Sequence, residues 1–230
     1  MGNKKKLAQF AELRTFDNVL EVGYSEVLES DHRLKGKWAS EVFKNERAIV
    51  LELGCGKGEY TVGMARMYPE KNFIGMDIKG ARIWRGAKTS VEDDLNNARF
   101  LRSRIDFITS FFEKGEVDEI WLTFPDPQAQ SSRERKRLTS DRFLDRFREV
   151  LVPGGFIHLK TDSDFLYQYS LDKARERGMV IHMHSGDVYG ELDKLDLTEK
   201  ERSILRIKTF YEKMFTEKGH SISYIRMSHE

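Results

Sequence analysis

Short apolar runs alternate with segments of helical periodicity along most of the chain. Apolar runs at residues 48–53, 72–77 and 119–123 predict strands, and amphipathic segments at residues 59–67 and 79–96 predict helices. Four further strands are predicted near residues 99–101, 156–161, 179–184 and 221–227. Because strand and helix alternate, we expect an α/β fold with a doubly wound, mostly parallel sheet that has helices on both faces.

The first 30 residues differ in pattern from the rest of the chain. They begin with a basic run, Lys4 to Lys6, and continue with apolar residues at roughly helical spacing. We expect a flexible basic tail and a peripheral arm over residues 1–30, followed by a single domain over residues 31–230. Near the other end, Thr198 and Glu201 have the spacing of a capping box, which predicts a helix that runs to about residue 217.

Composition narrows the class of protein. Lys and Arg total 39 and Asp and Glu total 38, so a net charge of +1 does not by itself indicate nucleic acid. The chain has a single cysteine, Cys55, which excludes an internal disulfide and fits a cytoplasmic location. We interpret Cys55 as a small residue of a turn and not as a nucleophile. No apolar run reaches the ~20 residues of a membrane helix. His182 and His184 lack a third ligand nearby in sequence, so we expect no metal.

A glycine turn follows the first long apolar run. Gly54, Gly56 and Gly58 stand directly after the predicted strand, where glycine lets the backbone turn sharply and lets a ligand approach it. Glu52 lies near the end of that strand, and Asp77 ends the next strand, where an acidic residue often binds a ribose. The three glycines are spaced G-x-G-x-G, whereas a dinucleotide site has the spacing G-x-G-x-x-G. We therefore favour S-adenosylmethionine as the ligand over an ordinary strand-to-helix turn.

A second turn carries one carboxylate between two prolines. Phe124-Pro125-Asp126-Pro127 follows an apolar run, and each proline restricts the backbone around Asp126. A basic cluster comes next, with Arg133, Arg135, Lys136 and Arg137. A carboxylate near cations is typical of a site for a polyanion with one reacting base, although a simple turn with a solvated loop has the same pattern.

Two later segments are candidates for the same cleft. Asp162 ends the strand that should follow Asp126 in the sheet, so both carboxylates are expected at one edge. Residues 209–212 precede the last strand, and they either close the cleft or simply pack a helix.

Taken together, these segments resemble bacterial tRNA (guanine-N7-)-methyltransferases over roughly residues 21–227. The matching stretches read LELGCGKGEYT, NFIGMDIKGARIWRGAK, FPDP with a later KRL, PGGFIHLKTD and TFYE. The resemblance implies a Rossmann-like sheet of seven strands, S-adenosylmethionine as methyl donor, and a guanine in the tRNA variable loop as acceptor. Its product would be N7-methylguanosine.

The resemblance also implies residue roles. Asp126 is the acidic residue at the methyl-transfer site and borders the cofactor. The other implied cofactor contacts are Glu52, the turn glycines, Asp77, and either the backbone at Arg104 or Ile105 or the neighbouring Asp106. The implied substrate contacts are Asp162, Thr209, Phe210, Tyr211 and Glu212. The chain departs from the family at Gln128 and Gln130, where a Trp and a Lys are usual. A substrate-contacting lysine is therefore absent at Gln130, and Arg133 or Arg135 is expected to compensate for it.

The chemistry of guanine limits what Asp126 does. N7 carries a lone pair and no proton, so methyl transfer needs no general base, and a carboxylate can instead orient the base and stabilise its developing positive charge. Two other functions stay open: an exocyclic-amine RNA methyltransferase, and a tRNA-binding module that has lost catalysis. A NAD-dependent dehydrogenase is less favoured, because the phosphate fingerprint is missing. The sequence allows a monomer or a homodimer.

Overall fold

A computed structural model describes residues 2–210, 212 and 219–230 of the chain. The chain divides into two compact units, residues 1–113 and residues 114–230. Strands and helices alternate in both, which confirms the predicted α/β class with mostly parallel strands. Among the described residues, no helix combines the length and apolar character needed to cross a bilayer.

The first unit contains parallel strands flanked by helices. Its elements are α1 (Gly2–Leu13), β1 (Val19–Glu21), β2 (Ile49–Leu53), α2 (Glu59–Met67), β3 (Asn72–Asp77), α3 (Gly80–Glu92), β4 (Ala98–Arg102) and α4 (Ile108–Phe111). Shorter helical segments lie at Tyr24–Val27, Trp38–Phe43 and Ile105–Phe107. The strand order is β1-β4-β3-β2, and the pairings are parallel. Every residue of β2 is buried, as expected of a parallel strand covered on both faces.

The second unit combines one parallel and two antiparallel pairings. Its elements are β5 (Val117–Thr123), a short 3₁₀ helix (Ser131–Lys136), α5 (Asp141–Val150), β6 (Leu151–Thr161), α6 (Asp164–Glu176), β7 (Val180–Ser185), α7 (Val188–Glu191), α8 (Glu199–Leu205) and β8 (Ser223–Ser228). The order is β5-β6-β8-β7, in which β5 and β6 are parallel and β8 runs antiparallel to both of its neighbours.

Three local predictions differ from the structure. The described strands number eight rather than seven, because the three-residue β1 is too short to show a pattern. Residues 153–155 have the sequence Pro-Gly-Gly, which predicts a turn, but they lie within β6 and form a bulge, since the pairing jumps from Val117–Leu151 to Glu119–Phe156. The helix predicted from residue 199 to about 217 ends at Leu205, although its capping box is present.

The start of the chain is helical where a flexible tail is predicted. Leu13 at the end of α1 is fully buried and belongs to an apolar cluster with Ile83 and Phe100. The Glu12 carboxylate accepts a hydrogen bond of 2.8 Å from Lys88 Nζ on α3. Burial of Leu13 and this ion pair attach α1 to α3. The predicted domain boundary near residue 30 stays a prediction.

Candidate active site

The glycine turn after β2 has left-handed backbone at each glycine. The φ angles are +78° at Gly54, +55° at Gly56 and +73° at Gly58, a region that side chains with a Cβ rarely adopt. The Gly54 amide donates to the Met76 carbonyl at 2.7 Å, which holds the turn against the end of β3. The turn and the end of β3 therefore share one edge of this sheet.

The surroundings of the three glycines differ. Among the described residues, a Cβ built on Gly54 meets no atom within 4 Å, and a Cβ on Gly56 meets only the Gly54 carbonyl oxygen at 4.0 Å. A Cβ on Gly58 would lie 2.7 Å from the Phe100 ring and 3.2 Å from the Gly86 Cα. The first two glycines thus line open space that a ligand can fill, whereas Gly58 is required by close packing of α2 against α3 and β4.

Glu52 anchors the start of α2 from beneath the turn. Its side chain is buried, and Oε2 accepts hydrogen bonds from the Thr61 amide at 2.8 Å and the Thr61 hydroxyl at 2.5 Å. Gly58 is the N-cap of α2 and has no side chain to satisfy these first amides, so the Glu52 carboxylate takes that role. Contact of Glu52 with a cofactor stays a prediction.

Asp77 joins the glycine turn to Lys79, the N-cap residue that directly precedes α3. Its Oδ2 accepts from the Gly56 amide at 3.0 Å, and its Oδ1 accepts from the Lys79 amide at 2.8 Å. Each carboxylate oxygen has a second lone pair, so both can still accept a hydroxyl hydrogen bond. The geometry fits a ribose diol above Gly56.

A cavity of about 400 Å³ in the first unit is lined by Ile78, the residue that follows Asp77. Its lining residues are Glu21, Val22, Gly23, Ile78, Arg102, Ser103, Arg104 and Phe107. Ile78 is 55% exposed, and an exposed apolar side chain beside the predicted ribose acceptor suits the face of a purine ring. Ile78 is not among the residues predicted from the sequence, although its position directly after Asp77 is a usable signal.

Arg104 and Ile105 lie where β4 leads into the next helical turn. Arg104 lines the cavity, and its guanidinium is paired with the Asp106 carboxylate, with 3.1 Å between Nη2 and Oδ2. Ile105 opens the short helical segment Ile105–Phe107. The placement is compatible with a backbone contact at Arg104 or Ile105, which stays a prediction.

The Asp126 turn is built from two residues with unusual backbone angles. Phe124 and Gln128 have φ angles of +51° and +45°, which cost about 1–3 kcal/mol each in a residue other than glycine. Asp126 Oδ1 accepts from the Gln128 amide at 3.0 Å, which closes an Asx turn. The Phe124 amide donates to the Lys160 carbonyl at 2.8 Å. Strain held in place by neighbours is common at functional sites, and here it presents an exposed carboxylate.

Asp162 follows β6 as Asp126 follows β5. Thr123 of β5 pairs with Lys160 of β6, so both carboxylates lie beyond the same ends of two paired strands, as predicted. Asp162 is about half-buried. This burial raises the pKa of its carboxyl, while its own backbone amide and His220 oppose the shift.

The predicted substrate segment 209–212 has one exposed and two buried members. Phe210 is 48% exposed, whereas Thr209 and Glu212 are buried. Glu212 Oε1 accepts from Lys160 Nζ at 2.9 Å inside the unit. Tyr211 lies outside the described residues. Of this segment, Phe210 is the described residue best placed to touch a substrate.

The basic cluster after Asp126 separates into outward and inward side chains. Arg133 and Arg135 are exposed on the short helix Ser131–Lys136. Arg137, predicted in the same basic cluster, is only 4% exposed, so the prediction that it faces a polyanion with the others is wrong.

Arg137 instead holds the loop that follows Asp126. Its guanidinium donates to the carbonyl of Gln128 at 3.2 Å and to those of Ala129 and Gln130 at 3.4 Å. It also lies 4.7 Å from the Phe165 ring centre and 4.4 Å from the Tyr169 ring centre, as in a cation–π contact. Arg137 therefore fixes the path of residues 128–130.

Two other chemistries depend on Cys55 and on clusters of metal-ligating side chains. Burial, together with the nearby Glu52 and Asp77 carboxylates, raises the pKa of the Cys55 thiol well above its ordinary range, so Cys55 is a poor nucleophile. Within the described part of the chain, no group of three or more His, Cys, Asp and Glu side chains is arranged to hold a metal ion.

Comparison with known proteins gives the family. Residues 46–225 match a family model described as "Putative methyltransferase". The chain is 48% identical to the tRNA (guanine-N(7)-)-methyltransferase of Christiangramia forsetii over 98% of both chains. It is also 48% identical to the enzyme of that name from Bacteroides fragilis, over 97% of this chain and 85% of the relative.

Solved structures agree on the fold. The 16S rRNA methyltransferase KamB superposes with a TM-score of 0.59 at 15% identity, covering 81% of this chain and 90% of that one. A 16S rRNA (adenine(1408)-N(1))-methyltransferase from Catenulisporales acidiphilia, solved with its cosubstrate SAM, gives a TM-score of 0.54 at 13% identity, covering 86% and 93%. The fold is thus that of methyltransferases, and the near full-length sequence identity shows that the chain belongs to the tRNA (guanine-N(7)-)-methyltransferase family.

Proposed function

We propose that this chain transfers a methyl group from S-adenosylmethionine to N7 of a guanine in the variable loop of tRNA. The observation that carries the proposal is 48% identity, over 98% of both chains, to a relative named for guanine-N7 methylation of tRNA. The local geometry supports it in each unit separately. The predicted cytoplasmic location and the choice between monomer and homodimer stay predictions.

The first unit fits S-adenosylmethionine. Open space beside Gly54 and Gly56 leaves room for the ligand against the main chain, and Asp77 accepts the ribose hydroxyls. Ile78 covers one face of the adenine, and the backbone at Arg104 or Ile105 meets its edge. Glu52 orders the turn from below and adds negative charge near the amino group. When bound, S-adenosylmethionine supplies an electrophilic methyl carbon on a cationic sulfur.

The second unit fits a guanine acceptor. Asp126 accepts hydrogen bonds from the N1–H and N2–H edge of the base, which adenine cannot offer, and stabilises the positive charge that methylation creates. Asp162 lies beyond the neighbouring strand and binds the same nucleotide or its ribose. Phe210 offers an exposed ring on which an extruded base stacks, because a base in folded tRNA must leave its stack to react.

The decisive experiment is methyl transfer from labelled S-adenosylmethionine to unmodified tRNA, followed by identification of the nucleoside by mass spectrometry. N7-methylguanosine in the variable loop is the expected product. A methylated exocyclic amine would replace the proposal with the alternative enzyme class. Binding of tRNA without S-adenosylmethionine binding, measured by calorimetry, would instead indicate a module that has lost catalysis.

We expect Arg133 and Arg135 to steer tRNA. Changing both to Ala should weaken tRNA binding and reduce the slope of log Kd against log salt by about 1 per arginine, because each charge that contacts a phosphate releases counterions. Binding measured between low and moderate salt checks this.

The matched control removes two exposed cations elsewhere in the same unit, Arg175→Ala with Lys194→Ala, and should leave the slope unchanged. Equal slopes for the wild type and the Arg133/Arg135 variant would show that these arginines do not contact the phosphates of the tRNA. Arg137 must be kept in both variants, since it holds the loop from inside.

A further inference from the structure

Lys160 is a fully buried lysine at the end of β6. Its Nζ donates to Glu212 Oε1 at 2.9 Å, to Tyr189 OH at 3.0 Å and to the Leu205 carbonyl at 2.7 Å. A buried ammonium is costly unless it is paired and hydrogen-bonded, and these partners meet that requirement. Burial lowers the pKa of Lys160 to about 8, a shift that Glu212 opposes.

The same residue holds the start of the Asp126 turn. The Lys160 carbonyl accepts the Phe124 amide at 2.8 Å, and Lys160 Nζ lies 5.7 Å from the centre of the Phe124 ring. Phe124 has a left-handed φ of +51°, which persists only where neighbours hold it. Lys160 is therefore one of the residues that hold this strained backbone, two positions before Asp126.

Glu212 uses both carboxylate oxygens inside the protein. Oε1 accepts from Lys160 Nζ and from the Tyr189 hydroxyl, and Oε2 accepts from the Thr209 amide at 3.3 Å. The Thr209 hydroxyl in turn accepts from the Glu212 amide at 3.1 Å, which completes a capping box. The Glu212 side chain is 0% exposed. The structure therefore gives Glu212 an internal role, in contrast to the substrate contact that the resemblance implies.

We propose that Lys160, Glu212 and Tyr189 form a positioning cluster that fixes the Asp126 turn relative to Thr209 and Phe210. Glu212 then acts on the reaction through Lys160 and not by touching the guanine. The proposal rests on the proposed function, because it concerns how the carboxylate and the exposed ring are placed for the same base. Small displacements of reacting groups cost large factors in rate.

Stability alone is a weak reason for such a cluster. Replacing a whole buried ion pair with apolar side chains is often neutral for stability, whereas removing one partner leaves an uncompensated charge and destabilises strongly. The effect of the cluster on stability can therefore be measured separately from its effect on the position of the Asp126 turn. The double variant Lys160→Met/Glu212→Leu removes the pair without leaving a buried charge.

The test compares the wild type, Lys160→Met, Glu212→Leu and the double variant in melting temperature, S-adenosylmethionine Kd, and kcat and KM for tRNA. We expect the double variant to melt above the Lys160→Met variant and to bind S-adenosylmethionine like the wild type. Its kcat should nevertheless fall about 10- to 100-fold. Arg175→Met is the matched control: Arg175 pairs with Asp172 at the surface of the same unit, where both side chains are more than half exposed, and its loss should change none of these values.

A stable double variant with wild-type kcat and KM would overturn the positioning role. If the double variant does not fold, Tyr189→Phe decides, since it keeps the ring and removes only the hydroxyl bonded to Glu212. A several-fold lower kcat with unchanged S-adenosylmethionine Kd supports the proposal, and an unchanged kcat rejects it. A wild type that forms no N7-methylguanosine would reject the proposed function instead, so the two failures are distinguishable.

Discussion

Asp126→Asn should lower kcat for N7 methylation by about 10²- to 10³-fold while the Kd for S-adenosylmethionine changes much less. The expected factor is that of removing one preorganised electrostatic group from a reacting centre. The product guanine is cationic, so the charge of the carboxylate matters more in the transition state than in the ground state. Single-turnover methylation and calorimetry with the same variant measure the two quantities.

Asparagine is the informative replacement at this position. Its side-chain oxygen can still accept the Gln128 amide, so the Asx turn that Asp126 closes is kept and only the charge is lost. Asp126→Ala removes both the acceptor that closes the turn and the negative charge. If Asp126→Asn is nearly as active as the wild type and Asp126→Ala is inactive, Asp126 shapes the turn and does not stabilise charge. Equal losses in kcat and in S-adenosylmethionine affinity would contradict the assignment altogether.

Asp77→Asn should weaken S-adenosylmethionine binding by about 10- to 100-fold. Hydrogen bonds to a charged acceptor are worth about 1.5–3 kcal/mol, and every 1.4 kcal/mol is tenfold in affinity. The change also turns one acceptor oxygen into an NH₂ donor that faces the amide of Gly56 or Lys79, so the side chain at position 77 loses one of its two hydrogen bonds to the backbone. At saturating S-adenosylmethionine, kcat should be affected far less than Kd.

Calorimetry with S-adenosylmethionine and with its demethylated product checks this effect. Asp93→Asn is a suitable control, because Asp93 pairs with Arg66 at the surface of the same unit. An Asp77→Asn variant with wild-type affinity would place the ribose elsewhere, and the cavity beside Ile78 would lose its interpretation as the adenine site.

Local sequence pattern sufficed for the strands and for the glycine turn. Strands such as β2 are continuous apolar runs, and the turn glycines stand at the strand end where a left-handed backbone is required. The same pattern failed for β1, which is three residues long, and for the helix predicted to continue past Leu205. Thr209 and Glu212 form a second capping box soon after, a signal that was present in the sequence.

The burial of two charged residues near the site was not predicted, because it depends on contacts far along the chain. Arg137 has the same sequence context as Arg133 and Arg135, and only Phe165 and Tyr169, some thirty residues later, make it an inward side chain. Glu212 carries a charge that predicts exposure, yet it is buried because Lys160 lies on a strand that precedes it by 52 residues. Periodicity describes neighbours in sequence and contains no information on such partners.

The bonds that Arg137 makes bear on how this loop can change in evolution. Its three acceptors are main-chain carbonyls at residues 128–130, and a carbonyl is present whatever side chain the residue carries. The Gln128 and Gln130 side chains, which replace the Trp and Lys that the resemblance implies, therefore take no part in these three bonds. A substitution of Arg137 itself, by contrast, would remove all three.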